Sequence, residues 1–335
     1  MEPFVTVETK NIIENYNSIK NYTKKGIIAV IKDNAYGHGL IRIGHILSKL
    51  NPLMLCVSTL NDAINLRKNM IFTPILLLGR CDDAQLLYSF KITPSLVCLE
   101  QVHNLIKSNL PLSCHIEIET GMHRLGISCE EINDVINMLN NSKMKIKGVY
   151  THFCSNNYQK QLEIFKSSLT NFSQQKLLIH CQASSYINAS LDFVNCVRIG
   201  LALYGYSSYL KNLKPALNLF IPIVRCQKIN KGTPIGYDYI EETPDDGYII
   251  TIPWGYSHGL SRLKKLCFDF NGETIFQCGK SCMDLTMFFS KKEIKEGTLI
   301  EFFSTHNINN LTIKNDDSVY YLLSSINPSI RRIYH

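Results

Sequence analysis

The 335-residue sequence has no run of about 18 consecutive apolar residues, the length that a membrane-spanning helix needs. Its opening segment, MEPFVTVETKNIIENYNSIK, is polar almost from the start and lacks the apolar core that a secretory signal carries. We therefore expect a protein of the cytoplasm that makes no contact with membranes.

Closely spaced cysteine pairs are also absent. The chain has 12 cysteines but no Cys-x-x-Cys, and many of them lie within apolar runs such as LMLCVS and IHCQA. Disulfides are rare in a reducing compartment, and a free cysteine inside such a run behaves as a small hydrophobic residue. We expect no bound metal.

Long basic segments are missing as well. Lys+Arg 35 against Asp+Glu 28 gives a formal charge of +7, but the basic residues are dispersed and do not alternate with aromatic side chains. A dispersed excess is typical of a solvated surface. The charge therefore gives no reason to expect nucleic acid as a partner.

The first two thirds of the chain alternate between short apolar runs and longer segments with helical spacing. Buried strands that alternate with amphipathic helices predict βα units and a parallel sheet. About eight such units fit a (β/α)8 barrel of the TIM type. A doubly wound open sheet is the alternative, although no Gly-x-Gly-x-x-Gly follows the first strand. Seven runs stand out as strands, at 27–31, 53–57, 75–78, 114–118, 149–153, 177–181 and 197–203.

The composition and periodicity of the sequence change after about residue 206. Proline and glycine punctuate short segments there, and long helical patterns largely vanish. This change predicts a smaller, mostly-β domain. We place the boundary near residue 215, so that residues 1–215 form the barrel and residues 216–335 form the C-terminal β domain.

One lysine stands where the first apolar run of the predicted barrel ends. Lys32 lies in the segment AVIKDNAYGHG, and the C-terminal ends of barrel strands form the active face. A desolvated lysine has a lowered pKa, and its neutral amine can form a Schiff base. The alternative is a strand-end lysine that reaches solvent, and the spacing alone does not decide between the two.

The same segment closely resembles the pyridoxal-phosphate motif of alanine racemases, usually written AVVKANAYGHG. Seven further segments resemble that family in the same order along the chain: TGMHRLG, THF, HCQAS, VRIGLALYG, GYSHGLSR, GKSCMD and SIRRIY. On these eight collinear segments the chain is identified as a member of the alanine racemase family. The resemblance implies the barrel, the C-terminal β domain, pyridoxal 5'-phosphate as cofactor, and a homodimer whose subunits share each active site.

The resemblance also implies a reaction. Such an enzyme interconverts L-alanine and D-alanine by two-base transfer of the α-proton on an aldimine of the cofactor, which supplies D-alanine for peptidoglycan. Lys32 would hold the cofactor and serve the D-face, whereas Tyr256 of the other subunit would serve the L-face. Arg198, oriented by His152, would donate a hydrogen bond to the pyridine nitrogen and so limit the lifetime of the carbanion.

Further residues are assigned to the cofactor phosphate by the same resemblance. The hydroxyl groups of Tyr36 and Ser184 and the backbone amides of Gly200 and Leu201 would bind it. Pro328 stands where the family carries a phosphate-binding tyrosine, so one hydroxyl group of the usual set is missing.

The substrate carboxylate has its own expected partners. Arg124 would bind this carboxylate and the phenolic oxygen of the cofactor, and the amide of Met283 would complete the site from the partner subunit. Tyr237 would lie near the entrance. Seven residues before Arg124, Glu117 replaces a lysine that the family commonly carries in carbamylated form, and we expect its carboxylate to pair with Arg124. An ordinary strand-end ion pair is the alternative for Glu117.

Two other functions remain open at this point. Ala183, His258 and Lys280 depart from the family motifs near the entrance, so the enzyme could act on serine or on a broad range of amino acids. A non-catalytic carrier of pyridoxal phosphate shares the barrel and the lysine. Such carriers typically lack the C-terminal domain with its tyrosine, so Tyr256 argues against this function.

Overall fold

The computed structural model describes residues 2–155, 157–172, 176–207, 209–260, 265–304, 307, 311–312, 315 and 318–335. The chain forms two compact units. The barrel unit consists of Ile13–Ala35 and Leu40–Leu213, and the β unit consists of Met1–Ile12, Tyr36–Gly39 and Lys214–His335.

Eight parallel strands form the sheet of the barrel unit. They are β2 Gly26–Val30, β3 Met54–Val57, β4 Ile75–Leu77, β5 Ile92–Leu96, β6 Ser113–Glu117, β7 Lys145–Tyr150, β8 Leu178–His180 and β9 Cys196–Ile199. Their order is β8-β7-β6-β5-β4-β3-β2-β9. The two outer strands meet where the Arg198 amide donates to Gln182 O at 2.9 Å and Asn195 Nδ2 donates to Leu177 O at 2.7 Å. This closed arrangement confirms the predicted barrel.

Helices separate most of these strands, and their sequences explain where they begin. Thr59 and Asp83 cap two of them by accepting the amides of Asp62 and Leu86. The helix at 132–140 buries four of its five apolar side chains, those whose spacing predicts the helix. The helices are α1 Thr9–Thr23, α2 Leu40–Ser48, α3 Leu60–Lys68, α4 Ala84–Ser89, α5 Leu99–Lys107, α6 Ile132–Asn140 and α7 Gln159–Leu169.

The sequence pattern missed β5 because this strand contains Pro94 between two polar residues, Thr93 and Ser95. Proline lacks the amide that a sheet ladder uses, so its presence argues against a central strand. In the barrel Pro94 nevertheless faces Leu77 of β4 in register.

A four-stranded sheet of the β unit contains the N-terminus. Its strands are β1 Phe4–Val7, β10 Leu217–Pro222, β18 Leu299–Phe303 and β19 Arg331–Tyr334, in the order β18-β10-β1-β19. β1 runs antiparallel to β10 and parallel to β19. The first twelve residues therefore belong with the C-terminal segment, which differs from the predicted boundary that assigned them to the barrel.

The other strands of the β unit form a five-stranded antiparallel sheet and a two-stranded ribbon. The cluster of Ile235, Ile249, Cys278 and Phe289 forms part of the core of this unit. The larger sheet contains β11 Arg225–Ile229, β14 Gly247–Ile252, β15 Cys267–Phe270, β16 Glu273–Gln277 and β17 Thr286–Ser290; the ribbon contains β12 Pro234–Ile235 and β13 Glu241–Glu242; the helix is α8 Val319–Ser324. Within the described residues no helix is long and apolar enough to cross a membrane.

Candidate active site

The interior of the barrel is polar on one side. Barrels of this type are usually filled by branched apolar side chains, so buried polar groups here require hydrogen-bond partners. Glu117, Tyr150 and His180 are register neighbours on β6, β7 and β8. We call the whole group the arginine cluster, and each member is at most 5% exposed: Ser95, His115, Glu117, Tyr150, His180 and Arg198.

Arg198 on β9 is the cation of this cluster. Its Nη1 donates to His180 Nδ1 at 2.8 Å, and its Nη2 contacts Thr151 O at 3.2 Å and His152 Nδ1 at 3.0 Å. The guanidinium carbon also lies 4.7 Å from the centre of the Tyr150 ring. These partners fix the plane of the guanidinium. The contact with His152 is the one expected from the sequence.

The arginine determines the tautomers of the histidines behind it. Because a guanidinium only donates, His180 Nδ1 must accept and its proton lies on Nε2. That nitrogen is 3.0 Å from His115 Nδ1, so it donates there and leaves the His115 proton on Nε2. His115 Nε2 is buried without a hydrogen-bond partner in the described structure. Burial and the positive charge of Arg198 lower the pKa of His115 to about 3, so the ring stays neutral.

Glu117 does not pair with Arg124 as the sequence suggested. Its Oε2 accepts from the Tyr150 hydroxyl at 2.9 Å, and no ion pair joins it to Arg124 among the residues that the structure describes. Glu117 is 5% exposed, whereas Arg124 lies at the surface. The physical reason is register: β6 and β7 place Glu117 directly beside Tyr150.

His152 shows where the other two predicted cations lie. Burial lowers its pKa to about 3, with further lowering by the charge of Arg198 and then by Arg124 and Lys32. The positive charges of all three basic residues therefore act on one ring. Lys32 follows β2 after one intervening residue, Ile31, and its Nζ lies 3.6 Å from the Asp33 carboxylate. Positive charge around a neutral ring suits an anionic ligand.

The chain after Lys32 adopts an unusual conformation. Asp33, Asn34, Ala35 and Tyr36 all have φ between 51° and 54°. Each left-handed residue of this kind costs roughly 1–2 kcal/mol. Asn34 Oδ1 holds the end of the turn by accepting the Leu40 amide at 2.9 Å. Tyr36 itself belongs to the β unit.

A loop after β6 carries Arg124, and one carboxylate organises it. Glu119 accepts the amides of Gly121, Met122 and His123, the last two at 2.8 and 2.9 Å. Burial alone would raise the pKa of Glu119, but these three bonds outweigh it and hold the pKa below its ordinary value. The sequence reasoning missed Glu119, although an acidic residue just before TGMHRLG is the available signal.

The predicted phosphate-binding groups of the barrel unit lie together. Ser184 Oγ accepts the Ala202 amide at 3.1 Å, at the first turn of a 3-10 helix, Leu201–Tyr204, that Gly200 precedes. Amide groups at the start of a helix have no partner within it and point outward, which suits a phosphate.

The residues assigned to the partner subunit meet in the β unit. The Tyr256 amide donates to Cys282 O at 3.2 Å, and the Ser257 amide donates to Met283 O at 3.0 Å. Tyr237 and Met283 are 63% and 55% exposed. An ion pair of Asp238 with Lys280 at 2.7 Å links the Tyr237 turn to the same segment. Positions 261 and 262, which complete the motif GYSHGLSR, lie outside the described residues.

Pro328 marks the departure from the family pattern. Its carbonyl accepts from Arg332 Nη1 at 2.9 Å, and Arg332 Nε donates to Gly37 O at 2.8 Å. Arg332 therefore joins the Pro328 turn to Gly37, but it supplies no hydroxyl group to replace that of the family's tyrosine. Across the described ranges no group of three or more His, Cys, Asp or Glu could hold a metal ion.

The missed members of the cluster are Ser95, His115, Tyr150 and His180. His180 begins the motif HCQAS, and Tyr150 directly precedes THF, so each stood beside a recognised motif. Tyr150 and His180 are the last residues of their strands, and that position is the signal for them; Ser95 and His115 lie inside β5 and β6. A single polar residue in a strand does not reveal its partner on another strand, and the sequence therefore could not assemble the cluster.

Comparison with known proteins matches both parts of the chain. The family model "Alanine racemase, N-terminal domain" covers residues 7–208, and "Alanine racemase, C-terminal domain" covers residues 216–334. An alanine racemase of Borreliella burgdorferi is 31% identical over 98% of this chain and 96% of its own length.

Solved structures agree with this assignment. An alanine racemase from Clostridium difficile superposes with a TM-score of 0.89 at 27% identity, covering 100% of this chain and 96% of the other. The alanine racemase of Bartonella henselae, described with covalently bound pyridoxal phosphate, gives a TM-score of 0.88 at 24% identity, with 100% of both chains covered. The chain belongs to the alanine racemase family.

Proposed function

We propose that this protein is an alanine racemase that uses pyridoxal 5'-phosphate to interconvert L-alanine and D-alanine. The observation that carries the proposal is the setting of Arg198. Its buried guanidinium is held by two neutral histidine nitrogens and one carbonyl, which together use three of its five N–H groups. Donors therefore remain for an acceptor such as a pyridine nitrogen.

The barrel unit offers groups that fit this cofactor. Lys32 would bind it covalently, Ser184 and the amides of Gly200 and Leu201 would hold its phosphate, and Arg124 would hold its phenolic oxygen. The resemblance adds the Tyr36 hydroxyl. When bound, the cofactor supplies an electron sink for the negative charge that develops at the substrate α-carbon.

The residues of the chain provide the remaining chemistry. A guanidinium only donates hydrogen bonds, so Arg198 would donate to the pyridine nitrogen of the bound cofactor without passing a proton to it. This weakens the electron sink and disfavours transamination. Lys32 and Tyr256 would remove and return the α-proton on opposite faces of the substrate, as racemisation requires.

We propose a homodimer in which Tyr256 and Met283 of each subunit complete the site of the other. The support is that Tyr237 and Met283 are mostly exposed although both are large, and that the Met283 segment is hydrogen-bonded to the segment of Tyr256 in the same unit. Arg124 and the Met283 amide would then bind the substrate carboxylate.

We also propose that the enzyme works in the cytoplasm and supplies D-alanine for peptidoglycan. The support for this compartment is that all 12 cysteines are free. Six of them are buried, and burial raises the pKa of each of these thiols, which is the behaviour of structural thiols.

Two measurements on purified protein test the proposal. We expect an absorbance band near ~420 nm that the variant Lys32→Ala loses. The matched control, Lys49→Ala, changes an exposed lysine at the end of the second barrel helix and should keep the band. The second measurement is exchange of the α-proton for solvent deuterium across a panel of L- and D-amino acids.

The outcomes distinguish the possible functions. Exchange confined to alanine supports the proposal, and comparable exchange with serine or larger amino acids indicates a broad-specificity racemase. A band without any exchange indicates a carrier of pyridoxal phosphate. Absence of both the band and the exchange would refute the cofactor assignment.

A further inference from the structure

The arginine cluster contains one cation and one carboxylate, and a single side chain contacts both. The ring centre of Tyr150 lies 4.7 Å from the Arg198 guanidinium carbon, and the Tyr150 hydroxyl lies 2.9 Å from Glu117 Oε2. The same ring stacks on His180 at 4.7 Å with an interplanar angle of 10°. The guanidinium of Arg198 therefore lies over the ring of Tyr150, and the hydroxyl group of the same side chain contacts Glu117.

Charge balance makes this arrangement important. A buried guanidinium is costly unless an opposite charge and hydrogen bonds compensate for it. The histidines that contact Arg198 are neutral, since burial and the arginine itself lower their pKa values. Arg124 and Lys32 add only positive charge. Glu117 is thus the acidic member of the cluster that can balance Arg198.

We propose that Glu117 is the counter-charge of Arg198 and its positioning residue, acting through Tyr150, and that it does not serve Arg124. Its effect on catalysis rests on the proposed function above. Its effect on the folded chain depends only on the contacts among Glu117, Tyr150 and Arg198.

The hydrogen-bond directions support this role. Tyr150 has one hydroxyl proton and two partners, Ser95 Oγ at 2.8 Å and Glu117 Oε2 at 2.9 Å. An ionised carboxylate only accepts, so Tyr150 donates to Glu117 and Ser95 donates to Tyr150. Burial raises the pKa of Glu117 on balance, and the Tyr150 bond, then the charge of Arg198 and, after it, the charge of Arg124 oppose that rise. Burial also raises the pKa of Tyr150, which keeps the proton on its oxygen.

Double-mutant cycles on the full chain, freed of any bound cofactor, test the charge pairing directly. We measure urea midpoints of Glu117→Gln combined with Arg198→Met, and of Glu117→Gln combined with Arg124→Met. The midpoint loss caused by Arg198→Met should shrink by about half in the Glu117→Gln background, whereas the loss caused by Arg124→Met should be unchanged. Additivity with Arg198→Met, or coupling with Arg124→Met, would overturn the proposal.

A second cycle applies if Arg198→Met does not fold. Tyr150→Phe removes the link to Glu117 and keeps the ring beneath Arg198. The double variant of Glu117→Gln and Tyr150→Phe should then be no less stable than the weaker single variant. Independent, summed losses would contradict the proposed path through Tyr150. Both cycles remain decisive even if the protein binds no pyridoxal phosphate, which would refute the proposed function alone.

The cofactor gives a separate spectroscopic readout. Removing a nearby negative charge would make the positive charge of Arg198 more effective at the pyridine ring that it would face in the loaded enzyme. We expect the pH titration of the visible absorbance of bound pyridoxal phosphate to move to lower pH by about one unit in Glu117→Gln. Glu117→Asp keeps the charge and should restore most of that shift. An unchanged titration together with a raised KM for alanine would instead assign Glu117 to Arg124.

Discussion

Arg198 Nη1 and His180 Nδ1 lie 2.8 Å apart inside the barrel, and this bond keeps the imidazole neutral. A protonated ring would direct an N–H at a group that can only donate. The same relationship holds between Arg198 and His152 Nδ1 at 3.0 Å. His115, one step further along, accepts from His180. Three neutral histidines therefore surround one cation.

This arrangement predicts instability in acid. The pKa values of His115 and His152 are lowered to about 3, and that of His180 is lowered well below its ordinary value. The unfolded chain binds these protons near pH 6.5 and the folded chain does not, so stability is present above pH 6.5 and is lost below it. The slope should approach about 4 kcal/mol per pH unit for three protons.

Urea unfolding between pH 7 and pH 5 measures this slope. His115→Gln should reduce it by about 1.4 kcal/mol per pH unit, because one depressed histidine is gone. His103→Gln is the control, since His103 is exposed on α5. Equal slopes in the two variants would mean that His115 titrates normally in the folded protein.

Glu119 leads to a prediction about the loop that carries Arg124. Glu119→Gln removes the charge that accepts three amides, at a cost of about 1–2 kcal/mol at pH 7. Because the folded pKa of Glu119 is lowered, its contribution is present above the ordinary carboxyl pKa and disappears as the pH falls through the folded value. The midpoint difference from the parent protein should therefore shrink below about pH 4.

The matched control for this loop is Glu130→Gln, at an exposed position further along the same segment. Its urea midpoint at pH 7 should stay within about 0.5 kcal/mol of the parent. We also expect Glu119→Gln to raise the KM for alanine, because the loop would no longer hold Arg124 in a fixed position. A stable loop variant with unchanged KM would separate Glu119 from substrate binding.

The barrel was predictable because seven of its eight strands carry their signal locally. Runs such as 27–31 and 75–78 are apolar over four or five residues, so burial alone reveals them. The remaining strand was not predicted because it contains Pro94. The place of the N-terminal strand was not predicted because Val5 pairs with Leu219, far along the chain. Pairing over more than two hundred residues leaves no local pattern.

The site was predictable only where a motif marked it. Lys32 and Arg198 lie within recognised segments, whereas the partner of Glu117 was inferred from the family, in which the residue at this position pairs with the arginine. The resemblance favoured Arg124, seven residues away, but strand register places Tyr150 beside the carboxylate. Register depends on the packing of the whole sheet, and a single sequence does not display it.

The lack of a side chain at Gly255 allows its segment of the β unit to approach the segment of Cys282 and Met283 closely. A Cβ atom at this position would lie 2.2 Å from Met283 O and 2.5 Å from Cys282 O. Both are backbone atoms, so Gly255→Ala should force Tyr256 away from Met283 at a cost of about 3 kcal/mol. Urea unfolding and racemase activity measure the two effects.

Gly272→Ala is the control for Gly255→Ala, because it isolates backbone strain from collision. Gly272 has φ +79, and a Cβ there would meet nothing within 4 Å. It should cost only about 1 kcal/mol and leave activity unchanged. Equal losses of stability in the two variants would show that the Met283 segment shifts easily to make room for the added methyl group.

Tyr256→Phe tests the two-base assignment, and the readout must be chosen with care. The equilibrium constant between L- and D-alanine is one by symmetry, so loss of either base lowers kcat/KM equally in both directions. We expect a fall of about 100-fold to 10,000-fold, the range for a lost general acid or base. The fall alone does not say which face lost its base.

Exchange with solvent deuterium distinguishes the faces. If Tyr256 serves the L-face and Lys32 the D-face, the Tyr256→Phe variant should still exchange the α-proton of D-alanine with retention of configuration, because Lys32 removes and returns it. L-alanine should exchange hardly at all, since no base faces its proton. Tyr239→Phe, at a 73% exposed tyrosine of the same unit, is the control and should behave as the parent. Equal exchange of both enantiomers in Tyr256→Phe would assign the second base to another residue.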